Sequence, residues 1–334
     1  MELGKDLLYL NRAQVESLGV TMPTVIDWME SAYREKGRGD YAMPAKTALH
    51  TLTDTHPGDF IHSMPAFIPA MEAAGVKVVS GYVHARELGH PYISGLYLLN
   101  DVDTGIPLAV MDCTWITMVR TGAVTGLTAK YLANESSESL GVIGTGVQGR
   151  INLEALVCTM PNLKSVRVFD GNPAAAEEYR REMSALYPQL DIQIVGQREE
   201  AVIDCDLLFS AVPSIVKPEW EFITADMIKP GATALPVDDL ALYTPEAASG
   251  APFSKFFTDD QGQFESFKEM GFFRGFDEVP LELGEMIVGK HPGRESESEC
   301  IMTVNIGTGL ADIATAKNLY VQALDQGIGT VLPL

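Results

Sequence analysis

The most restrictive stretch of the sequence is Ser139-Leu140-Gly141-Val142-Ile143-Gly144-Thr145-Gly146-Val147-Gln148-Gly149-Arg150. An apolar run from Leu140 to Ile143 leads into Gly144-x-Gly146-x-x-Gly149, and a helical pattern follows from Arg150. Strand, glycine turn and helix in that order are the opening unit of a dinucleotide-binding doubly wound sheet. Gly144 suits the tight turn, Gly146 lets backbone approach a pyrophosphate, and Gly149 lets the helix pack close to the strand. The pyrophosphate would sit on the helix N-terminus, where unpaired N–H groups and the helix dipole favour an anion.

The surrounding sequence fits that unit. Strand candidates at Leu140–Ile143, Ser165–Asp170, Asp191–Val195, Leu207–Ala211 and Thr233–Val237, with helices between the first four, predict an α/β fold with a parallel, doubly wound sheet. Asp170 ends the second strand, 21 residues after Gly149. A carboxylate there accepts both ribose hydroxyls of NAD and repels a 2′-phosphate, and no basic residue occupies 170–173, so NAD is expected over NADP. The structural alternative for Asp170 is a cap on the helix that begins near Asn172-Pro173.

Before the glycine loop the pattern changes. Residues 1–45 carry a short strand, Leu7 to Leu10, an N-cap at Asn11 and a helix start at Thr21-Met22-Pro23. Residues 46–112 hold β-rich runs at 46–52, 58–65, 75–82 and 94–100, and Asp101 to Gly105 turns the last of these into Pro107–Met111 as a hairpin. A helix follows from Thr114 to about Ala133-Asn134, and the closing helix, ending at Leu324, has no strand of its own to serve. These runs predict a first α/β domain over 1–132 with 310–334, discontinuous in sequence, and a Rossmann domain over 133–309.

A formal charge of −21 over 334 residues argues against partners that present phosphates, so neither nucleic acid nor an anionic membrane surface is expected. Cys113, Cys158, Cys205 and Cys300 are far apart, and the histidines His56, His62, His84 and His90 keep no ligand spacing, so no metal is expected. Of these, His62 stands out because it adjoins Ser63-Met64-Pro65-Ala66. No apolar run reaches the roughly 18–20 residues of a membrane span and no signal peptide is visible, so a cytoplasmic protein is expected.

Three cations precede the glycine loop. Lys77 lies in Gly75-Val76-Lys77-Val78-Val79, a strand whose other residues read as buried, where an ammonium is costly unless it is paired or functional. The alternative is a lysine reaching out from a sheet edge. Arg120 sits on a helix of otherwise apolar and small residues and suits capture of a carboxylate, or else a structural salt bridge. Lys46, after Met43-Pro44-Ala45, is the third. Beyond the loop, Asp238-Asp239 follows the fifth strand at the end where ligands bind in such sheets, and either could move a proton at an amine or imine nitrogen.

Together these residues resemble the ornithine cyclodeaminase and mu-crystallin family over nearly the whole chain. The resemblance rests on Met64-Pro65-Ala66, Gly75-Val76-Lys77, Asp103-Thr104-Gly105-Ile106-Pro107-Leu108-Ala109, Ile116-Thr117-x-x-Arg120-Thr121-x-Ala123, Gly144-x-Gly146-x-Gln148-Gly149 and Gly307-x-x-x-x-Asp312-x-x-x-Ala316. It implies that the first domain binds substrate and dimerises, giving a homodimer, and that the chemistry is NAD-linked at an amino-acid Cα–N bond, on an amino or imino acid. An ammonia-lyase of the ornithine cyclodeaminase type, which regenerates its cofactor within one turnover, is the alternative. A non-catalytic binding protein of the mu-crystallin kind is a third reading, and Lys77, Arg120 and an aspartate count against it. By the same resemblance Lys46, Met64, Lys77 and Arg120 meet the substrate, and Lys77 with Asp238 or Asp239 performs the catalysis. Arg120, Thr121, Gly144, Gly146, Val147, Gln148, Gly149, Asp170, Ala211 and Asn305 line the cofactor. The chain departs from the family pattern at Lys46, usually Arg, at Val237-Asp238-Asp239, usually Gly-x-Asp before Pro-Gly-Lys, and at Asn305-Ile306, where a serine is common.

Replacing Asp170 tests the cofactor reading. Asp170→Ala is expected to weaken NAD by about tenfold or more, the worth of a charge-assisted hydrogen bond, and to narrow the preference over NADP. Dissociation constants for both cofactors measure it, and an unchanged preference would leave Asp170 as a cap alone.

Overall fold

The computed structural model describes residues 1–53, 56–213, 220–273, 275–276 and 278–334. It divides into two compact units, Met1–Arg120 with Thr308–Leu334, and Thr121–Gly307. In chain order the first unit holds β1 (Asp6–Leu10), α1 (Arg12–Ser17), α2 (Met22–Arg38), β2 (Thr47–Thr53), β3 (His56–Ile68), β4 (Ala73–Gly81), β5 (Ile93–Asn100) and β6 (Pro107–Asp112). The helix α3 (Thr114–Leu132) then carries the boundary between units, after Arg120.

The second unit holds β7 (Ser139–Ile143), α4 (Val147–Thr159), β8 (Ser165–Phe169), α5 (Pro173–Leu186), β9 (Asp191–Ile194), β10 (Leu207–Ser210) and β11 (Thr233–Ala234). It continues with α6 (Pro245–Ala248), β12 (Phe253–Thr258), α7 (Gln261–Glu269), β13 (Leu281–Glu282), α8 (Leu283–Ile287) and β14 (Cys300–Val304). The chain then returns to the first unit with α9 (Gly309–Gln326) and β15 (Thr330–Pro333). No described helix is long and apolar enough to cross a membrane.

The sheet of the first unit runs β15-β1-β6-β5-β4-β3-β2. Its members β2 to β6 form an antiparallel meander, in which the β5–β6 hairpin is the one signalled by Asp101 to Gly105. Register sets one row of neighbours, Met64–Lys77–Tyr97–Met111, across four strands. Met64, Lys77, Tyr97 and Met111 are all buried, so this face of the sheet is the covered one. The cover is α9. Its buried flank includes Leu310, Asp312, Ile313 and Leu319, and its start presses on β3 so closely that a Cβ on Gly309 would lie 3.0 Å from the Pro65 carbonyl oxygen. Thr308 caps the helix by accepting from the Ala311 N–H at 3.2 Å and shares a 3.0 Å hydrogen bond with the Tyr33 hydroxyl of α2.

The sheet of the second unit runs β13-β12-β14-β11-β10-β7-β8-β9, and every pair in it is parallel. Three strands, β12, β13 and β14, extend it beyond the five expected from sequence. Parallel strands covered on both faces read as continuous apolar runs without alternation. The aromatics of the 253–276 stretch are core: Phe253, Phe256, Phe264, Phe267, Phe273 and Phe276 join one buried cluster. Between β9 and β10 the expected helix is a short 3-10 segment, Arg198–Ala201, because so few residues separate the two strands. The pairing of the fifth strand with β14 is also shorter than expected. Leu235 and Val237 still donate to β10 at 2.7 and 2.9 Å, but Pro236, between them, has no N–H to offer β14.

Candidate functional site

In the first unit the site is built around three charges. Lys77 projects from β4 onto the covered face and is 0% exposed. Its Nζ lies 2.7 Å from Oδ2 of Asp312, which is also 0% exposed, and donates to Thr117 Oγ1 at 3.3 Å. Arg120, one turn beyond Thr117 on α3, donates from Nε to the other oxygen of Asp312 at 3.0 Å. One carboxylate therefore bridges two buried cations and leaves a net positive charge. Asp312 lies in the first turn of α9, where the helix dipole also favours an anion. Burial pulls the Lys77 ammonium below its usual value, Asp312 opposes that, and Arg120 adds to it.

One polar group beside this constellation has no partner among the described residues. The Tyr97 hydroxyl, next to Lys77 in the row, is buried with no hydrogen-bond partner, and burial raises its pKa well above normal. Met64 flanks Lys77 on the other side, across the β3–β4 ladder. Lys46 is half-buried just before β2, and both it and Lys77 act electrostatically on His62. The side chain of His56 lies outside the described residues. Sequence reading singled out Lys77 and Arg120 but gave Asp312 no role. The signal was present: Asp312 is a lone carboxylate in the apolar helical run Leu310-Ala311-Asp312-Ile313-Ala314, as Lys77 is a lone ammonium in an apolar strand.

In the second unit the candidate residues line the carboxyl edge of the parallel sheet. Asn305, Asp238, Ala211, Gly144 and Asp170 follow β14, β11, β10, β7 and β8, and that is also the order of these strands across the sheet. Gly144 turns with φ of 95°, and a Cβ there would lie 2.4 Å from the Ala211 carbonyl oxygen, so only glycine fits. Gly149 is equally constrained, since its Cβ would lie 2.4 Å from the Gly144 carbonyl oxygen. At Gly146, by contrast, a Cβ would meet nothing within 4 Å. That space opens beside the N-terminus of α4, which no side chain caps. An uncapped 13-residue helix behind a glycine turn fits a pyrophosphate. Val147 is exposed at the start of α4, and Gln148 accepts from Asn152 at 3.0 Å.

Asp170 grips the glycine loop. One of its oxygens accepts from the Thr145 N–H at 2.8 Å and the Thr145 hydroxyl at 2.7 Å, and the other accepts from the Asn172 N–H at 2.8 Å. Asn172, not Asp170, caps α5. A carboxylate has about four acceptor positions, which leaves room for a further donor. Arg150 supports the loop by donating to the Thr145 carbonyl while paired to Glu182 at 2.7 Å.

The two adjacent aspartates differ sharply. Asp238 is fully buried, accepts from the Val212 N–H at 3.2 Å, and keeps its other oxygen without a partner among the described residues. Burial raises its pKa to about 7, with the Asp239 carboxylate adding to the rise and the Val212 N–H opposing it. Asp239 is partly exposed in a left-handed turn, φ of 54°. Asn305 donates to Thr128 Oγ1 at 3.1 Å, and the Asp259 carboxylate holds the next two residues through the N–H groups of Ile306 (2.9 Å) and Gly307 (2.7 Å). Thr121 opens this unit on α3, partly exposed.

A profile of the ornithine cyclodeaminase/mu-crystallin family matches residues 6–327. An alanine dehydrogenase of Archaeoglobus fulgidus is 32% identical over 340 aligned positions, covering 97% of this chain and 98% of that protein. Among solved structures, the Delta(1)-pyrroline-2-carboxylate reductase of Thermococcus litoralis, in complex with NADH and L-proline, aligns with a TM-score of 0.84 and 31% identity over 97% of this chain and 99% of that one. An archaeal alanine dehydrogenase dimer with bound NAD gives a TM-score of 0.82 and 28% identity over 98% and 99% of the two chains.

Removing the bridging charge tests the constellation. Asp312→Asn leaves two buried cations without a counter-ion, so unfolding in urea is expected to show a loss of about 3–5 kcal/mol. A loss below about 1 kcal/mol would mean that Asp312 is not their partner in solution.

Proposed function

The chain belongs to the ornithine cyclodeaminase/mu-crystallin family, and from that premise we propose that it is an NAD-dependent oxidoreductase acting on the Cα–N bond of an amino acid or its imine. The observation that carries this reading is the Lys77–Asp312–Arg120 constellation, two buried cations sharing one carboxylate. A second carboxylate would neutralise the excess charge, and the α-carboxylate of an amino or imino acid is suited to the task. The A. fulgidus and T. litoralis relatives are a dehydrogenase and a reductase of this substrate class.

In this reading Lys77 and Arg120 bind and orient the carboxylate, with Lys46 and Met64 at the edge of the substrate site. NAD is held by Gly144, Gly146, Val147, Gln148 and Gly149 at the pyrophosphate and by Asp170 at the adenosine ribose. Arg120, Thr121, Ala211 and Asn305 complete its surroundings. When bound, its nicotinamide supplies or accepts the hydride. Asp238 moves the proton. A carboxyl group titrating near neutrality exists in both forms, as a group that donates to an imine nitrogen and accepts from an amine must. The choice between the two aspartates falls on Asp238, since its burial gives it that property, whereas Asp239 faces partly outward.

Asp239 also keeps a second reading in view. A partly exposed carboxylate could receive the distal ammonium of a diamine, as a cyclodeaminase requires. Net NADH change separates the two, because a cyclodeaminase releases ammonia with no lasting change at 340 nm. We further propose a homodimer through the outer face of the first sheet. Register places Leu49, Ile61, Val78 and Leu96 together there, and each is exposed.

The test is NADH oxidation over a panel of cyclic and acyclic imino acids, together with keto acids plus ammonia. Turnover is expected with at least one, and its absence throughout would contradict the proposal. In the reductive direction Asp238 must be protonated, so kcat/KM is expected to fall as pH rises through about 7, and in the oxidative direction to rise through the same value. Asp238→Asn should lower the rate by about 100-fold or more and remove that inflection. An inflection that survives the substitution would assign the proton to another group.

A further inference from the structure

A second group of buried nitrogens lies on the covered face of the first sheet. His62 on β3 is 7% exposed and pairs in register with Ala48 and Val79, one same-face step along the strand from Met64. Its ring stacks on Phe60 at 4.2 Å between centroids and meets the His50 ring edge-on at 5.4 Å. Neither imidazole Nε2 has a hydrogen-bond partner among the described residues, and both atoms are buried. A buried polar atom left unpaired is costly, and here two such atoms occur in one ring cluster. Stacking on Phe60 fixes the His62 ring without using its Nε2.

The charge around this pair has one sign. Among the described residues, the charged groups that act on His62 are cationic: Lys46, His50 when protonated, and Lys77. Burial and these cations hold His62 as the neutral imidazole, with a pKa lowered to about 3. The carboxylate nearest in sequence, Asp59, accepts from the Val83 N–H at 2.9 Å. What would complement two N–H-capable rings in a positive field is an anion with two acceptor oxygens.

We propose that His50 and His62 form a subsite for a second carboxylate, so that the substrate is a short dicarboxylic amino or imino acid. The inference rests on the proposed function, in which Lys77 and Arg120 hold the first carboxylate. Two residues along a strand span about 7 Å, so the row of His62 lies that far from the row of Met64 and Lys77. With a donor at each end, this separation suits two carboxylates joined by a chain of two or three carbons. Phe60 closes the subsite with an apolar wall, which strengthens the hydrogen bonds made there by excluding water.

Calorimetric titration of the full chain with succinate, and with butyrate as its monocarboxylate counterpart, tests this in the presence of NAD. Succinate is expected to bind at least about tenfold more tightly. In His62→Leu and His50→Leu that ratio should fall to within about twofold, whereas Lys77→Ala should weaken both ligands. His62→Phe, which keeps an aromatic ring for the stack on Phe60 but has no donor, serves if leucine upsets the packing, and the ratio should again be smaller. Equal affinities in the unaltered protein, a ratio that survives both histidine replacements, or no binding of either acid would overturn the proposal. Failure of the oxidoreductase reading shows elsewhere, as absence of NADH oxidation with every imino acid, since these titrations need no turnover.

Discussion

The contact that most constrains the first unit is the 2.7 Å approach of Lys77 to Asp312. An ammonium withdrawn completely from water loses several kcal/mol of solvation, and only a close partner of opposite charge offsets that. The partner comes from the far end of the chain, 192 positions beyond Arg120, which shares it. Much of the local architecture serves that meeting. The chain must leave the second unit and return as α9. Thr308 caps the helix, Gly309 lets it sit directly on β3, and Gly75 gives room beside Tyr97 and Ile313. A larger residue at Gly309 or Gly75 would lift the helix and separate the charges.

The second unit answers a different demand. Its candidate residues need not be buried pairs, because a parallel sheet already brings the ends of its strands to one edge. Glycines 144 and 149 are fixed by close backbone approach, and Gly146 by the open space it leaves. Asp170 ties the loop to the end of the neighbouring strand, so the residue expected to select the cofactor also holds the loop in shape. At Asp238 the same edge is dry, and burial raises a carboxyl group to the range in which it can exchange a proton near neutral pH.

How much of this was legible in the sequence depended on how local the determinant was. The glycine loop, the N-cap at Asn11 and the β5–β6 turn are each set by a few consecutive residues, and the structure shows all three. Lys77 could be singled out because a charge in an apolar strand is anomalous without reference to anything else. Asp312 could not be matched to it, since nothing local says which distant cation a buried carboxylate meets. β12 and β14 were hidden because doubly covered strands show no alternation, and β15 because its four exposed residues read as a tail. Asp238 and Asp239 are chemically identical in sequence, and only the left-handed turn at Asp239 separates a buried carboxylate from a partly exposed one.

Buried ionic clusters are seldom the most stable way to fill a core. On the proposed function, Lys77, Arg120 and Asp312 are charges retained to hold an incoming carboxylate, at some cost to the fold. The direct measure is the urea unfolding free energy of a variant carrying Lys77→Met, Arg120→Met and Asp312→Leu together. Because all three charges leave at once, the expected stability equals that of the unaltered protein or exceeds it by about 1–4 kcal/mol. A loss of about 3 kcal/mol or more would contradict a role in ligand binding at the fold's expense and make the three charges a structural staple.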